Sequence, residues 1–275
     1  ATAIVATAMA DGQTLSTSGA GATTITGLSA DLTDTSSAAQ TITVADVATI
    51  TLGLGTDTTG TETIDADALT DGDVLTLTGA NDATVSLVGG DLNAVAYTGV
   101  LDVTATSGSN EITTGDASDT ITGGGGADSL TGGASADTFV FGATDSLIAN
   151  MDVINDFATA SDIIDHAVAL TIGGAVTDGG ATAALASIDT NGLATFDGAD
   201  DELAEMIIAV AANLENANNG VAGKTAIFVF ESDTYAFITD GTGGGTAGDT
   251  LIHLDGVSGT DFDTITVTDG NVTIG

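Results

Sequence analysis

The sequence contains no Cys, no Pro and no Trp, and Lys224 is its only Lys or Arg. Each absence excludes something. Without Lys and Arg there is nothing to neutralise a phosphate backbone, so nucleic-acid binding is excluded. Attraction to an anionic membrane surface fails for the same reason. Without Cys there is no disulfide framework and no thiolate zinc site. No apolar run approaches the ~20 residues that a membrane-spanning helix needs. The first ten residues, ATAIVATAMA, are apolar but have no basic flank, so they are not expected to act as a signal peptide. A chain starting at Ala1 without an initiating Met is expected to be a processed chain or a piece of a longer one.

What is present is acid and glycine. Of 275 residues, 38 are Gly and 39 are acidic, and the formal net charge is −38. The only Glu residues are Glu62, Glu111, Glu202, Glu205, Glu215 and Glu231, so Asp dominates. Such a charge favours disorder. Yet 43% of the residues are hydrophobic, enough for a β-rich core of Val, Ile, Leu and Thr. The negatives repel one another in any compact state. Either the fold is drawn out, or cations neutralise it. Short Asp carboxylates in Gly-rich turns are hard oxygen ligands beside backbone carbonyls, which suits Ca²⁺.

Residues 104–139 fall into nine-residue rows: TATSGSNEI, TTGDASDTI, TGGGGADSL and TGGASADTF. The ninth position is apolar (Ile112, Ile121, Leu130, Phe139), and the seventh is Asn110, Asp119, Asp128 or Asp137. Each row reads as a tight Gly-rich turn followed by a short strand with one inward residue. Stacked turns would place carboxylates in a column, repulsive alone and cohesive with a divalent ion between them. Metal binding and folding would then be one event.

GGGGADSLTGGASADTF resembles the RTX (repeats-in-toxin) nonapeptide, GGxGxDxUx, of the parallel β-roll. MDVINDFATASDIID (151–165) resembles the segment that closes such rolls. AIFVFESDTYAFITDGTGGGTAGDTLIHLDGV (226–257) resembles the C-terminal region of type I-secreted RTX proteins, bacterial surface-layer (S-layer) proteins among them. The resemblance implies ions held between turns two rows apart on one side of the roll. Asp119 and Asp137 would share one ion with backbone oxygens of Gly115, Ala117, Gly132 and Ala134. Asn110 and Asp128 would share another with those of Thr106, Gly108, Gly123 and Gly125. The row VFGATDSLI departs, with Ser146 at the expected Asp position and Asp145 one residue early. Asn110 departs at the other edge. About two or three Ca²⁺ ions are expected across these rows.

The expected fold is mainly β. Residues 1–103 read as many short strands with tight turns, a β-solenoid or sandwich that runs into an RTX parallel β-roll over 104–165. Residues 166–275 read as a mixed C-terminal domain. There, the apolar spacing of Leu203, Met206, Ile207, Val210 and Leu214 predicts a helix over 201–217. It would be capped by Asp200 or Asp201 and ended by Asn218–Gly220, and would cover a hairpin over 224–241. The acids Asp65, Asp67, Asp71 and Asp73 read equally as a further ion site or as a solvated loop.

No catalytic constellation stands out. The two histidines, His166 and His253, are far apart in sequence and make no HExxH pair. His166 is expected to be packing and His253 a solvent-facing strand residue. No GxSxG precedes a helix. Paired carboxylates carry no information where acids are this common. The chain is therefore expected not to be an enzyme. The reading is a secreted structural protein, extracellular or at the cell surface. It would fold in external Ca²⁺ and self-assemble into a surface layer or matrix fibre, with cell-surface polysaccharide as a further partner. The alternative is the C-terminal calcium-binding and secretion module of a larger adhesin or of an exported hydrolase.

Overall fold

The computed structural model describes residues 2–5, 14–19, 23–28, 31–36, 38–55, 60–172, 186–196, 202–218, 222–242, 248–258, 265–268 and 271–274. They belong to two compact units, Ala1–Thr138 and Phe139–Gly275.

In the first unit, Thr alternates with Ile, Leu or Val, the period of a strand with one buried face. The strands are β1 Thr2–Val5, β2 Thr14–Gly19, β3 Thr23–Leu28, β4 Asp31–Ser36, β5 Thr41–Val44, β6 Thr49–Gly53 and β7 Glu62–Ala66. They continue with β8 Val74–Gly79, β9 Ala83–Leu87, β10 Asp91–Tyr97, β11 Leu101–Ala105, β12 Glu111–Thr113, β13 Thr120–Thr122 and β14 Ser129–Thr131. Odd-numbered strands make one parallel sheet and even-numbered strands the other. Each strand pairs with the one two places on, as β5 with β7 and β12 with β14. The chain thus winds as a parallel β-solenoid with two strands per coil. For residues before 104, all these pairings are parallel, the arrangement of a solenoid rather than of a sandwich. The strand β11 pairs with both β9 and β13, so the packing runs unbroken past residue 103.

The core lies between the two sheets as columns of identical register. On one sheet Ile25, Ile42, Ile64, Val85, Val103 and Ile121 follow one another, all nearly inaccessible. On the other the column is Ile50, Leu75, Leu92, Ile112 and Leu130. The supply of inward side chains is uneven. The coil of β8 and β9 buries Leu75, Leu77, Ala83, Val85 and Leu87. The coil of β12 and β13 has three-residue strands and buries only Ile112 and Ile121 from them. At about 1.5–3 kcal/mol for each fully buried large aliphatic side chain, the later coils forgo several kcal/mol of packing. A second source of cohesion is needed there.

The second unit holds β15 Thr138–Phe141, β16 Asp152–Ile154, β17 Ile163–His166, β18 Thr171–Ile172, β19 Ser187–Ile188 and β20 Ala194–Thr195. The helix α1 Leu203–Asn218 follows, then β21 Lys224–Phe230, β22 Asp233–Ile238, β23 Thr250–Leu254, β24 Ile265–Thr268 and β25 Asn271–Ile274. The antiparallel trio β21–β22–β23 is its centre. The helix lies over it, placing Ile207, Val210 and Leu214 on Ala226, Phe228, Tyr235, Phe237 and Leu251. Of the expected helix-end signals, Asn218 is the last residue of the helix, while Asp200, Asp201, Asn219 and Gly220 lie outside the described residues.

Because Ile64 is fully buried in the apolar column of the upstream coils, Ile64→Ala is expected to cost about 2–5 kcal/mol. Urea unfolding should show this loss equally in calcium and in chelator.

Candidate metal centre

The nonapeptide turns stack where the strands become shortest. The turn before β13 (residues 114–119) lies one coil from residues 132–137. The Ala134 N–H donates to the Gly115 carbonyl at 3.0 Å, and the Asp119 N–H donates to Asp137 Oδ1 at 2.8 Å. On the opposite side of the roll the Gly125 N–H donates to the Thr106 carbonyl at 3.3 Å, and the Asn110 N–H donates to Asp128 Oδ1 at 2.8 Å. The structure therefore brings Asp119 to Asp137, and Asn110 to Asp128. Each pair lies within one side of the roll, beside turns that carry backbone oxygens predicted for it. All four side chains are buried to 2% exposure or less. Gly115, Gly123 and Gly132 are buried, Ala117 and Gly125 half-buried, and Thr106, Gly108 and Ala134 exposed at the rim.

Each aspartate divides its two oxygens between two tasks. The Oδ1 atom accepts from a main-chain N–H eighteen residues earlier, in Asp119 from Leu101 at 2.8 Å, and so ties successive coils. The Oδ2 atom turns into its own Gly-rich turn, where Asp119 accepts from the Gly115 N–H at 3.3 Å. A Cβ on Gly123 would lie 2.5 Å from Asp128 Oδ2, and one on Gly132 would lie 2.5 Å from Asp137 Oδ2. Only glycine leaves that cradle open. Gly133 has a φ of +93°, and a Cβ there would collide with the Gly115 carbonyl.

Two further observations fit a hard cation. Asn110 Oδ1 is buried and has no hydrogen-bond partner among the described residues, a costly state for a polar atom. Burial also raises the Asp119 carboxyl above its ordinary value, against the lowering effect of hydrogen bonds from the Leu101 N–H, the Thr114 side chain and the Gly115 N–H. The donor set is oxygen throughout: carboxylate, amide and main-chain carbonyl, as Ca²⁺ prefers. Bound there, Ca²⁺ would neutralise the stacked carboxylates and join adjacent turns.

The ladder has a defined upstream edge. On one side the column Asp137–Asp119 continues as Leu101, Ala83, Glu62 and Gln40. There a chain of hydrogen bonds takes over. The Tyr97 hydroxyl donates to the Asn81 carbonyl, Asn81 Nδ2 donates to Glu62 Oε1 at 3.0 Å, and the Gln40 N–H donates to Glu62 Oε2. On the other side Asn110 Nδ2 donates to the Gly90 carbonyl at 2.6 Å. An aspartate there would present an acceptor to an acceptor, so the Asn that departs from the repeat suits the boundary. Sequence reasoning missed Gln40, Glu62 and Asn81. A signal for two of them existed, since QTIT (40–43) and ETID (62–65) align with DTIT (119–122).

The other candidates fare differently. Asp65, Asp67, Asp71 and Asp73 do not converge as a ligand group among the described residues. Asp73 Oδ2 instead accepts from both the N–H and the hydroxyl of Thr70 at 2.8 Å. His166 is buried, as expected of packing. Its Nδ1 accepts from the Val168 N–H at 3.2 Å, and Nε2 lies 3.3 Å from the Thr250 hydroxyl. Burial lowers its pKa, favouring the neutral ring. His253 does not face solvent as expected. It is half-buried and stacked on Tyr235, because its strand position shares the face that carries Phe228 and Tyr235 under the helix.

A parallel solenoid with aspartates and glycines at its turns is the β-roll class. The RTX calcium-binding nonapeptide repeat family, in four copies, matches residues 104–144. The stretch 104–144 of this chain is an RTX β-roll. No curated protein matches the chain. Repeats of this family bind calcium and are typical of secreted extracellular proteins. No described helix is long and apolar enough to cross a membrane.

The raised carboxyl of Asp119 sets a sign for pH dependence. A group whose pKa is higher folded than unfolded stabilises the fold below its unfolded value, and that contribution disappears as pH rises through the folded value. In chelator, the denaturation midpoint should therefore rise on mild acidification from neutrality. Asp119→Asn should flatten this response and raise the neutral, calcium-free midpoint while blunting the gain from calcium.

Proposed function

We propose that this is a secreted structural protein that folds on meeting external Ca²⁺ and assembles into a surface layer or extracellular matrix fibre. The observation that carries the reading is the paired burial of Asp119 with Asp137, and of Asn110 with Asp128, in a chain of net charge −38. Such turns hold together when a divalent ion lies between them, so the later coils order only where calcium is plentiful. An export channel would then pass the chain unfolded, and the exterior would complete the fold.

The same architecture supports assembly. The strands β1 and β2 stand at the edges of the two sheets, and a solenoid edge left uncovered can stack on another. Contacts between copies so acidic would depend on bridging cations. In this reading the chain has no catalytic role of its own, and its partners are further copies of itself, with surface polysaccharide as an anchor. The second reading, a calcium-binding and secretion module of a larger adhesin or hydrolase, is favoured by the confinement of the repeats to 104–144.

Electron microscopy and size-exclusion chromatography separate the two. Assembly predicts filaments or lattices in millimolar Ca²⁺ that dissolve in excess EGTA. Monomers under every calcium condition would favour the module.

A further inference from the structure

Outside the roll, one corner of the second unit gathers a different set of ligands. Asp233 opens β22, His253 lies on β23, and Asp255 follows the end of β23. One ligand atom from each lies within 4.8 Å of the others. The imidazole is held by its neighbours. It stacks on Tyr235 at 4.8 Å and 9°, and Tyr235 stacks on Phe228 at 5.4 Å and 15°. These are register partners on adjacent strands, Phe228 with Tyr235 and Tyr235 with His253. The ring is thus fixed by the sheet, with Nε2 3.3 Å from Asp233 Oδ2.

That contact is not a good hydrogen bond. Nε2 is shielded from solvent and makes no hydrogen bond among the described residues. The carboxylates also lack a permanent cation. Lys224, the only Lys or Arg in the chain, stands at the opposite end of β21, roughly 20 Å away by strand rise.

We propose that Asp233, His253 and Asp255 form a binding site for a transition-type divalent cation, of which Zn²⁺ is the reference ion. The chemistry separates it from the roll. Calcium takes oxygen ligands, whereas a nitrogen with two carboxylates suits Zn²⁺ and its neighbours. Ligands about 2.0–2.2 Å from one ion stand roughly 3–4 Å apart, against an outer limit of 4.8 Å among these atoms. The exposed side chain of Asp255 and the half-buried one of Asp233 close that gap by rotation, while the stacked ring stays fixed. Three protein ligands leave a coordination position for water. The ion would clip the β21–β22 turn to the end of β23.

The test uses the full chain in saturating Ca²⁺, so that the roll's oxygen sites are filled. Zn²⁺ is titrated while the imidazole nitrogens are followed by NMR and the heat of binding by calorimetry. The expected result is one Zn²⁺ per chain that shifts His253 Nε2 and leaves His166 unmoved as the internal control. His253→Gln and Asp255→Asn should each weaken binding roughly tenfold or more. The proposal is overturned if Zn²⁺ leaves the His253 signals unchanged, which is the result for a simple ion pair. It is equally overturned if both variants bind Zn²⁺ as the parent does, which is the result for loose association with surface acids.

Discussion

Two carboxylates placed one above the other in successive coils, both out of water, repel each other unless positive charge lies between or beside them. The chain provides a single Lys for 39 acids, so that charge must come from solution. The rest of the repeat region follows from this constraint. Glycines keep the turns open around Asp128 and Asp137. One carboxylate oxygen ties the coils, the other faces the turn, and short strands suffice because cohesion is moved from the core to the ligands.

The solenoid therefore changes its basis along its length. Upstream coils are held by apolar columns and by buried polar links through Gln40, Glu62, Asn81 and Tyr97. Later coils have less apolar contact and more oxygen ligands. Asn110 sits at the transition, donating upstream to Gly90 and aligned downstream with Asp128. The upstream coils offer a packed template on which the repeat coils stack.

The second unit works by other means. Its sheet is buried on both faces, with Ile227, Ala236, Ile252 and Leu254 on one side and Phe228, Tyr235 and Phe237 under the helix on the other. Here aromatic stacking and helix packing supply the cohesion.

Much of this was legible in the residue order. The nine-residue period, the inward Ile112, Ile121 and Leu130 and the helix follow from local spacing, because a turn or a strand is specified by its own few residues, while the aspartate pairing came from the resemblance to RTX repeats. Other features were not legible, because they depend on register between coils of unequal length. That Glu62 and Gln40 share the column of Asp119 rests on strand pairings across intervening loops. The placing of His253 against Tyr235 rests on the β22–β23 register, since a one-residue slip would turn the ring to the opposite face. The sequence by itself determined where a cation is needed, through charge and glycine at a fixed period. Only the tertiary structure decided where that need stops, because hydrogen bonds between coils are set by which residues the winding brings side by side.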